Sequence, residues 1–256
     1  MAAKIPLSVA IITKNEEENL PDCLRSVAFA GQIVVVDSGS TDETLKIAAD
    51  FGCDVYSEGW HGFGPQKQLA IDRCKYPWVL VLDADERIPK ETEETIGGIV
   101  SGTGSVAHGY SFPRKNYFQG RWIRHAGWWP DRIVRLFLKD RGRMSRAAVH
   151  EGIEVDGPVG ELDCPIIHLT ESNLSKILLK IDRYSTLGAE EAFAAGKKAT
   201  IWSASARAGF TFVQDYFVRL GMLDGFQGLI LAITDTVNKF FKYAKLCDLI
   251  RKSRET

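Results

Sequence analysis

The sequence predicts an α/β fold in which a mostly parallel sheet is flanked by helices and followed by a helical C-terminal extension. Two observations support this prediction. Between residues 7 and 85, short β-rich runs alternate with segments of helical periodicity, a pattern typical of parallel strands joined by crossover helices. From about residue 172 onward the pattern is helical. We therefore predict two domains, at residues 1–170 and 171–256.

The first 85 residues contain four predicted strands and two clear crossover helices. The first helix is expected within NEEENLPDCLRSV, where Asn15 is placed to cap it. The second is expected within STDETLKIAADFG, where Ser40 and Glu43 match a capping box and Gly52 ends the helix. The predicted strands are LSVAIIT (7–13), QIVVVD (32–37), CDVYS (53–57) and WVLVLD (78–83).

The residue composition and the pattern of the sequence change after about residue 105. Residues 108–137 are rich in aromatic and basic side chains with Gly and Pro breaks, which predicts irregular strands and loops over the sheet edge. Residues 149–169 are expected to form a hairpin-like pair and a short strand. Loops in this position are the usual place for a second substrate.

Composition excludes several classes of protein. The chain has 256 residues, 45% hydrophobic and 25% charged, which is ordinary for a globular protein. Its net charge of -1 provides no general attraction to nucleic acid, so we expect no nucleic-acid partner. The five cysteines form no CxxC pair, which argues against disulfides and zinc and favours a cytoplasmic protein. The apolar run near the N-terminus is short for a signal peptide and is better explained as a strand.

Two carboxylates follow the most apolar predicted strand. Asp83 and Asp85 are one residue apart, and like charges so close repel unless a cation lies between them. Mg²⁺ or Mn²⁺ prefers oxygen ligands and commonly bridges carboxylates to substrate phosphates, so a metal site is the sharper prediction. A solvated turn is the alternative. Asp37 ends the second strand and is expected either to hold a nucleotide base or ribose, or only to cap its loop.

Three motifs identify a family. LSVAIITKNEEENLPDCLRSV, VVVDSGSTDET and WVLVLDADERI resemble the nucleotide-binding half of family 2 glycosyltransferases, which have the Rossmann-like GT-A fold, over roughly residues 5–170. The resemblance implies a nucleotide diphosphate sugar as donor. It also implies that Asp37 contacts the base and that Lys67 takes the place of a family basic residue, although the usual Arg-Asn pair is Lys67-Gln68 here. The residues implied to line the nucleotide pocket are Thr13, Asn15 and Glu16.

A narrower likeness concerns the acceptor. FGPQKQLAI, GWWPDRIVRLF and VHEGI resemble bacterial lipopolysaccharide inner-core β-1,4-glucosyltransferases. This implies inverting transfer of a hexose, glucose from UDP-glucose, to a lipopolysaccharide core or related lipid-linked saccharide. Glu151 matches the expected base, with Asp131 as second choice. The resemblance also allows His168 to complete the metal site, while a structural histidine is equally expected.

Two arginines follow a tryptophan-rich turn. Arg132 and Arg135 have the fork geometry that suits a phosphate, so we predict that they bind the donor. A solvated basic face is the alternative for each of them.

The C-terminal segment 207–247 is rich in Phe, Leu and Ile but interrupted by charges. It is expected to lie in the bilayer interface at the inner face of the cytoplasmic membrane, or to pack on the catalytic domain or another subunit as a homo-oligomer. The first alternative suits a lipid-linked acceptor.

Other functions compete with this hypothesis. Transfer to a polyprenyl phosphate would need no base, because that acceptor is already ionised. A phosphatase with Asp83 as nucleophile usually has Thr or Val where this chain has Arg87. A nucleotide-sugar-binding membrane scaffold would bind the donor without turnover.

Overall fold

The computed structural model describes residues 4–102, 107–145, 152–170 and 173–255. The chain divides into two compact units. The first comprises Met1–Lys115 and Asp131–Leu169, and the second comprises Asn116–Pro130 and Thr170–Thr256. Residues 116–130, which the sequence pattern had assigned to the first domain, therefore group with the helical unit.

The described elements are twelve strands, seven α-helices and two short helical segments of other types. The strands are β1 (Ile5–Thr13), β2 (Ala30–Asp37), β3 (Asp54–Ser57), β4 (Trp78–Asp83), β5 (Glu86–Arg87), β6 (Gly109–Phe118), β7 (Arg121–Trp122), β8 (Asp131–Leu138), β9 (Gly142–Met144), β10 (Ile153–Val155), β11 (Val159–Glu161) and β12 (Ile166–Leu169). The α-helices are α1 (Leu20–Ser26), α2 (Thr44–Asp50), α3 (Phe63–Asp72), α4 (Lys90–Ser101), α5 (Leu174–Ala194), α6 (Ile201–Phe212) and α7 (Gly225–Glu255). A π-helical segment (Val213–Val218) and a 3₁₀ turn (Gly221–Asp224) lie between α6 and α7.

The first unit is built on a mixed sheet with the strand order β3-β2-β1-β4-β8-β6-β12-β5. The first four of these strands are parallel to one another, as the alternating pattern predicted. Beyond β4 the sheet continues through β8 and β6, which pair antiparallel. The predicted fold class, a mostly parallel sheet flanked by helices with long C-terminal helices, is confirmed.

Strand β4 explains why the central strands are apolar on both faces. Leu80 and Leu82 pack into one buried cluster, while Val79 and Val81 pack into a second cluster on the opposite face. Because side chains alternate along a strand, a strand covered on both sides must be apolar throughout. The first polar residue, Asp83, therefore marks the point where β4 leaves the core.

Both predicted helix caps are wrong. Helix α1 begins at Leu20 after Asn19, and Asn15 instead adopts a left-handed backbone with φ 56°. Helix α2 begins at Thr44, and no side chain caps it. Ser40 lies in the loop before α2, where its Oγ accepts a hydrogen bond from the backbone N–H of Asn15. These polar side chains tie two loops together, which competes with capping.

The second unit is mainly helical. Asn173 caps α5 by accepting a hydrogen bond from Ser175 N at 2.9 Å, and Lys245 of α7 contacts Asp182 of α5 at 2.7 Å. Asp224 accepts a hydrogen bond from His125 N at 2.8 Å, which fastens the 116–130 segment to the turn before α7. Among the described residues no single helix meets the length and hydropathy expected of a membrane span, although the pair Ile201–Val218 and Gly221–Ser253, bent by 67°, does so jointly.

Candidate active site

Three strand ends meet at one edge of the sheet in the first unit. Thr13 of β1 is level with Asp37 of β2, and Ile12 is level with Asp83 of β4. The carboxyl ends of parallel strands are where ligands of such sheets gather, so this edge is the candidate site.

Asp37 organises the loop that follows β2. It is fully buried, and its carboxylate accepts hydrogen bonds from Thr13 Oγ1 at 3.1 Å and from the backbone N–H groups of Gly39 and Ser40 at 2.8 Å each. The Ser40 hydroxyl donates to the same carboxylate. This is the loop-capping geometry that the sequence left open. The contact of Asp37 with a nucleotide base stays a prediction.

Asn15 and Glu16 join the loop after β1 to the loop after β2. Asn15 Oδ1 accepts a hydrogen bond from Thr41 N at 2.8 Å, and Glu16 N donates to Thr44 Oγ1 at 2.8 Å. Because the side chain of Asn15 is used within the protein, it positions the two loops, whatever else it contacts. Its role and that of Glu16 in nucleotide binding stay predictions.

Asp83 lies between two cations. Its Oδ1 is 2.7 Å from Lys67 Nζ of α3, and its Oδ2 is 2.7 Å from Arg135 Nη2 of β8. Burial opposes ionisation of Asp83, but Lys67 and Arg135 hold its pKa well below the usual range. Both carboxylate oxygens are therefore engaged by cationic side chains, so this geometry does not support the predicted role of Asp83 as a metal ligand.

The same contacts extend into a chain of alternating charges. Arg135 Nη2 is also 2.7 Å from Glu86 Oε1, and Glu86 is fully buried. Arg114 Nη1 lies 3.8 Å from Glu86, and Arg114 Nε donates to Asp131 Oδ2 at 2.9 Å. The resulting charge cluster consists of Lys67, Asp83, Arg135, Glu86, Arg114 and Asp131. Three positive and three negative side chains balance in it, which is how buried charge is tolerated.

Glu86 and Arg114 were not among the predicted site residues. Glu86 directly follows the DAD stretch and could have been found by extending that motif by one residue. Arg114 could not, because its partners come from strands that are distant in the sequence.

The two predicted arginines have different surroundings. Arg135 and Asp131 belong to the same charge cluster through Glu86 and Arg114, whereas Arg132 contacts other residues. Arg135 is 7% exposed and lies within the charge cluster, whereas Arg132 is exposed and contacts Asp163 at 3.0 Å and Leu162 O at 2.8 Å. Arg132 thus matches the solvated alternative, and donor binding by either arginine stays a prediction.

Asp85 and His168 form the part of the site best suited to a cation. Asp85 Oδ2 lies 3.4 Å from His168 Nε2, and Asp85 Oδ1 is buried without a hydrogen-bond partner. Pairing of His168 with Glu86 between β12 and β5 brings the two side chains together. A buried carboxylate oxygen without a donor is costly unless a cation or water satisfies it. Carboxylate oxygen and imidazole nitrogen are also ligands that Mn²⁺ accepts, so these residues fit a divalent cation.

Asp85 and His168 alone provide too few ligands to complete the coordination of a cation. In the described part of the chain no three His, Cys, Asp or Glu side chains gather in a metal-binding group. Mg²⁺ and Mn²⁺ sites commonly use one or two carboxylates and take their other ligands from water and substrate phosphates. Asp85 with His168 is consistent with that kind of site.

The structure describes only one of the two predicted catalytic bases. Glu151 lies outside the described residues. Asp131 begins β8, and Arg114 contacts its Oδ2 through Nε at 2.9 Å and through Nη2 at 2.5 Å. This ion pair makes the Asp131 carboxylate part of the charge cluster.

Comparison with known proteins adds independent findings. The model of the family described as "Glycosyl transferase family 2" matches residues 8–152. The lipopolysaccharide core biosynthesis glycosyltransferase LpsC of Rhizobium meliloti (strain 1021) is 32% identical over 258 residues, covering 96% of this chain and 93% of that protein. An uncharacterized glycosyltransferase of Rickettsia typhi is 27% identical, and the match covers 97% of this chain and 89% of that protein.

Two solved structures resemble the fold more distantly. Glucosyl-3-phosphoglycerate synthase from Mycobacterium tuberculosis, in complex with Mn²⁺, uridine-diphosphate and glucosyl-3-phosphoglycerate, has a TM-score of 0.49 and 15% identity. The match covers 77% of this chain and 82% of that one. S. aureus TarS in complex with UDP-GlcNAc has a TM-score of 0.46 and 14% identity, covering 96% of this chain and 92% of that one.

Proposed function

Because the chain belongs to glycosyl transferase family 2, and is therefore a nucleotide-sugar glycosyltransferase, we propose that it moves a hexose, glucose from UDP-glucose, to a lipopolysaccharide core or related glycolipid. The observation that supports a donor site most strongly is the arrangement at the strand ends. A buried carboxylate oxygen of Asp85 without a partner lies near His168, next to a charge cluster that fixes Asp83.

We propose that Asp85 and His168 hold Mg²⁺ or Mn²⁺. When bound, such a cation supplies positive charge that neutralises the leaving nucleoside diphosphate. Asp83 contributes differently, because its contacts with Lys67 and Arg135 fix the end of β4 from which Asp85 extends. The contact with Asp83 also holds Lys67, whose side chain is 12% exposed, at the edge of the sheet where the donor is proposed to bind.

Direct displacement inverts the anomeric centre and needs a base for the acceptor hydroxyl. We propose Glu151 for this role, since Asp131 is already engaged by Arg114. A base removes the proton while the bond from the acceptor oxygen to the anomeric carbon forms and the bond to the diphosphate breaks. No covalent intermediate is required.

The experiment is a donor and transfer assay on matched variants. Nucleotide sugars are screened with Mn²⁺ for thermal stabilisation, and transfer to delipidated and intact lipopolysaccharide core is then measured with the best donor. We expect Glu151→Gln to keep donor affinity within a few-fold and to lose roughly 10²–10⁴ in transfer, the usual contribution of a positioned base. Glu154→Gln, an exposed glutamate of β10 that contacts Arg143, is the control.

Each competing function has its own result. Unchanged transfer in Glu151→Gln together with loss in Asp131→Asn would reassign the base. If neither variant matters and polyprenyl phosphate accepts the sugar, the acceptor arrives ionised and the lipopolysaccharide proposal is wrong. Donor binding without transfer or donor hydrolysis would indicate a scaffold.

We also propose that the second unit contacts the inner face of the cytoplasmic membrane, because large apolar side chains are exposed along residues 201–226. Trp202 is 83% exposed, Val218 70% and Phe226 68%. The other exposed large apolar residues of this segment are Ile201, Phe210, Val213, Phe217, Leu220, Met222 and Leu223. A surface of this extent is typical of a membrane or subunit contact.

The charges of residues 201–226 favour an anionic membrane over a second subunit. The acidic residues of this segment, Asp215 and Asp224, are buried, whereas its basic residues, Arg207 and Arg219, are exposed; Arg219 also pairs with Asp215 at 3.0 Å. Exposed apolar and basic side chains together match an interfacial segment drawn to anionic lipid. Such a contact would bring the enzyme to a lipid-linked acceptor.

A further inference from the structure

The second unit contains a cavity of about 350 Å³ that the predicted site does not use. Two helices form most of its wall, and each contributes residues at the spacing i, i+3, i+4, i+7, which places them on one helix face. Helix α5 contributes Ile177, Lys180, Ile181 and Tyr184. Helix α7 contributes Leu231, Thr234, Asp235 and Asn238. The remaining wall comes from Phe118, Trp128 and Thr170.

One side of the cavity is apolar and partly aromatic. Phe118 and Leu231 are buried, and Trp128 and Ile177 pack against them. Trp128 is held in place through its carbonyl oxygen, which accepts a hydrogen bond from Asn116 Nδ2 at 3.1 Å. A fixed aromatic wall of this kind offers large contact area at low cost in conformational entropy.

The opposite side carries polar groups where two packed helices normally place apolar ones. Asn238 Oδ1 is buried and has no hydrogen-bond partner within the described residues. Asp235 is half-buried, and the described part of the chain gives it no hydrogen bond or ion pair. Burial raises the pKa of its carboxyl to about 6, and Asp215 adds to this shift while Lys239 and Arg219 oppose it. A buried acceptor without a donor, such as Asn238 Oδ1, is uncommon in native proteins and calls for a donor.

The cavity is therefore two-sided, with an aromatic wall facing two oxygen acceptors that lack donors. A pyranose ring has matching features, since its C–H groups form an apolar face and its hydroxyls donate hydrogen bonds. An acyl chain would cover the aromatic wall but leave Asn238 Oδ1 without a donor and remove water from the Asp235 carboxylate, which costs free energy. The volume lies at the lower end of the range for small-molecule sites, which suits a sugar better than a long lipid.

We propose that this cavity binds a pyranose unit of a saccharide, with its hydroxyls donating to Asp235 and Asn238 and its C–H face against Trp128. The inference rests on the proposed function for the source of the saccharide, a sugar of the glycolipid acceptor. Lys180 is exposed at the rim and is available to an acidic substituent of the same sugar.

The test measures sugar binding and donor binding separately. The probes are an oligosaccharide released from a bacterial lipopolysaccharide core by delipidation, and decanoate as an acyl chain. Binding is followed by saturation-transfer NMR and by tryptophan fluorescence. We expect the oligosaccharide to bind the parent protein and decanoate not to displace it.

Two variants challenge the cavity in different ways. Asp235→Asn keeps the side-chain size but removes the charge, and should weaken oligosaccharide binding about tenfold or more. Thr234→Trp places a large side chain in the cavity and should abolish oligosaccharide binding. Asp248→Asn is the matched control, because Asp248 lies on the same helix but is exposed and paired with Arg251 and Lys252. Melting temperatures and UDP affinity report whether each variant is folded.

The outcomes separate this inference from the proposed function. Weakened oligosaccharide binding with unchanged UDP affinity and donor hydrolysis supports the cavity. If the parent does not bind the oligosaccharide, if Thr234→Trp binds it as well as the parent, or if decanoate displaces it, the inference is wrong. If the parent protein does not bind UDP, the donor site proposed for the first unit is wrong. The sugar-binding result would still test the cavity independently.

Discussion

The two units differ in how the carboxylates around their candidate sites are paired. In the first, Arg135 lies 2.7 Å from both Asp83 and Glu86, and every carboxylate of the charge cluster has a cation beside it. In the second, Asp235 is half-buried and has no hydrogen bond or ion pair in the described residues, and large apolar side chains are exposed over residues 201–226. The difference indicates that the charge cluster of the first unit is balanced without a ligand, whereas the second unit has an unpaired carboxylate and an exposed apolar surface that a ligand and a binding surface would cover.

Breaking the charge cluster is the strongest test of this comparison. Arg135→Leu removes the cation shared by Asp83 and Glu86 and leaves two buried carboxylates with less compensation. We expect a loss of roughly 3–5 kcal/mol in the free energy of unfolding, measured by urea denaturation. Arg132→Leu, at the neighbouring exposed position, should change it by about 0.5 kcal/mol or less.

A similar small loss for both variants would contradict the view that the cluster holds the site together. It would show that Asp83 and Glu86 relax toward Lys67 and Arg114 when Arg135 is absent.

The unpaired carboxylate of the second unit predicts the opposite response to mutation. The pKa of Asp235 is raised to about 6, so the folded protein binds a proton that the unfolded chain releases above about pH 4. Stability from this group is therefore present at acid pH and lost as the pH rises from about 4 to about 6. Above that window Asp235→Asn should stabilise the protein by about 1–2 kcal/mol, after allowance for its partial exposure.

The measurement is the pH dependence of unfolding for the parent, Asp235→Asn and Asp248→Asn. The charged groups near Asp235 are Asp215, Lys239 and Arg219, with Lys180 on the facing helix. Side-chain hydrogen bonds from Lys252 and Arg251 lower the pKa of Asp248, so that control should lose stability rather than gain it above the window. A flat difference between the parent and Asp235→Asn across pH 4–6 would sink the prediction.

Mutation of Asp83 and Asp85 should have different effects on metal binding, because only Asp85 has a carboxylate oxygen without a hydrogen-bond partner. Asp85→Asn should weaken Mn²⁺ binding at least about tenfold, measured by electron paramagnetic resonance in the presence of UDP. Asp83→Asn should lower the free energy of unfolding while changing Mn²⁺ affinity less, because Asp83 is engaged by Lys67 and Arg135. Equal loss of Mn²⁺ binding in both variants would restore Asp83 as a ligand.

Much of the first unit could be predicted from local pattern. The apolar run 78–83 predicts β4, and its abrupt end at Asp83 predicts polar groups at the sheet edge. The contacts of Asp83 could not be predicted, because Lys67 comes from α3 and Arg135 from β8, and their meeting depends on how the sheet is assembled. The metal-ligand prediction for Asp83 rests on its spacing to Asp85, its place at the end of an apolar strand and the family resemblance, none of which reveals these two cations.

The helical unit was harder to predict for a different reason. Helical spacing indicates which residues of α5 and α7 share a face, but not that Asp235 and Asn238 face a cavity rather than solvent. Residues 116–130 join this unit because Asp224 and the 124–125 backbone meet across about a hundred positions of sequence. No local pattern carries that information.

The smallest expected effect concerns the exposed apolar side chains of residues 201–226, and it decides what covers them. Phe217 is 50% exposed in the π-helical segment, beside the exposed Val218 and Arg219. Phe217→Ser should weaken binding to vesicles containing anionic lipid by about 1 kcal/mol, roughly fivefold, since burial of one large apolar side chain is only partial at an interface. Phe193→Ser, 38% exposed at the end of α5, is the control and should bind like the parent. Binding is measured by vesicle sedimentation, with neutral vesicles expected to bind more weakly than anionic ones because Arg207 and Arg219 are the exposed charges of the segment. If the parent sediments with neither kind of vesicle, and Phe217→Ser instead changes the oligomeric state seen by light scattering, these residues form a subunit interface and the membrane proposal is wrong.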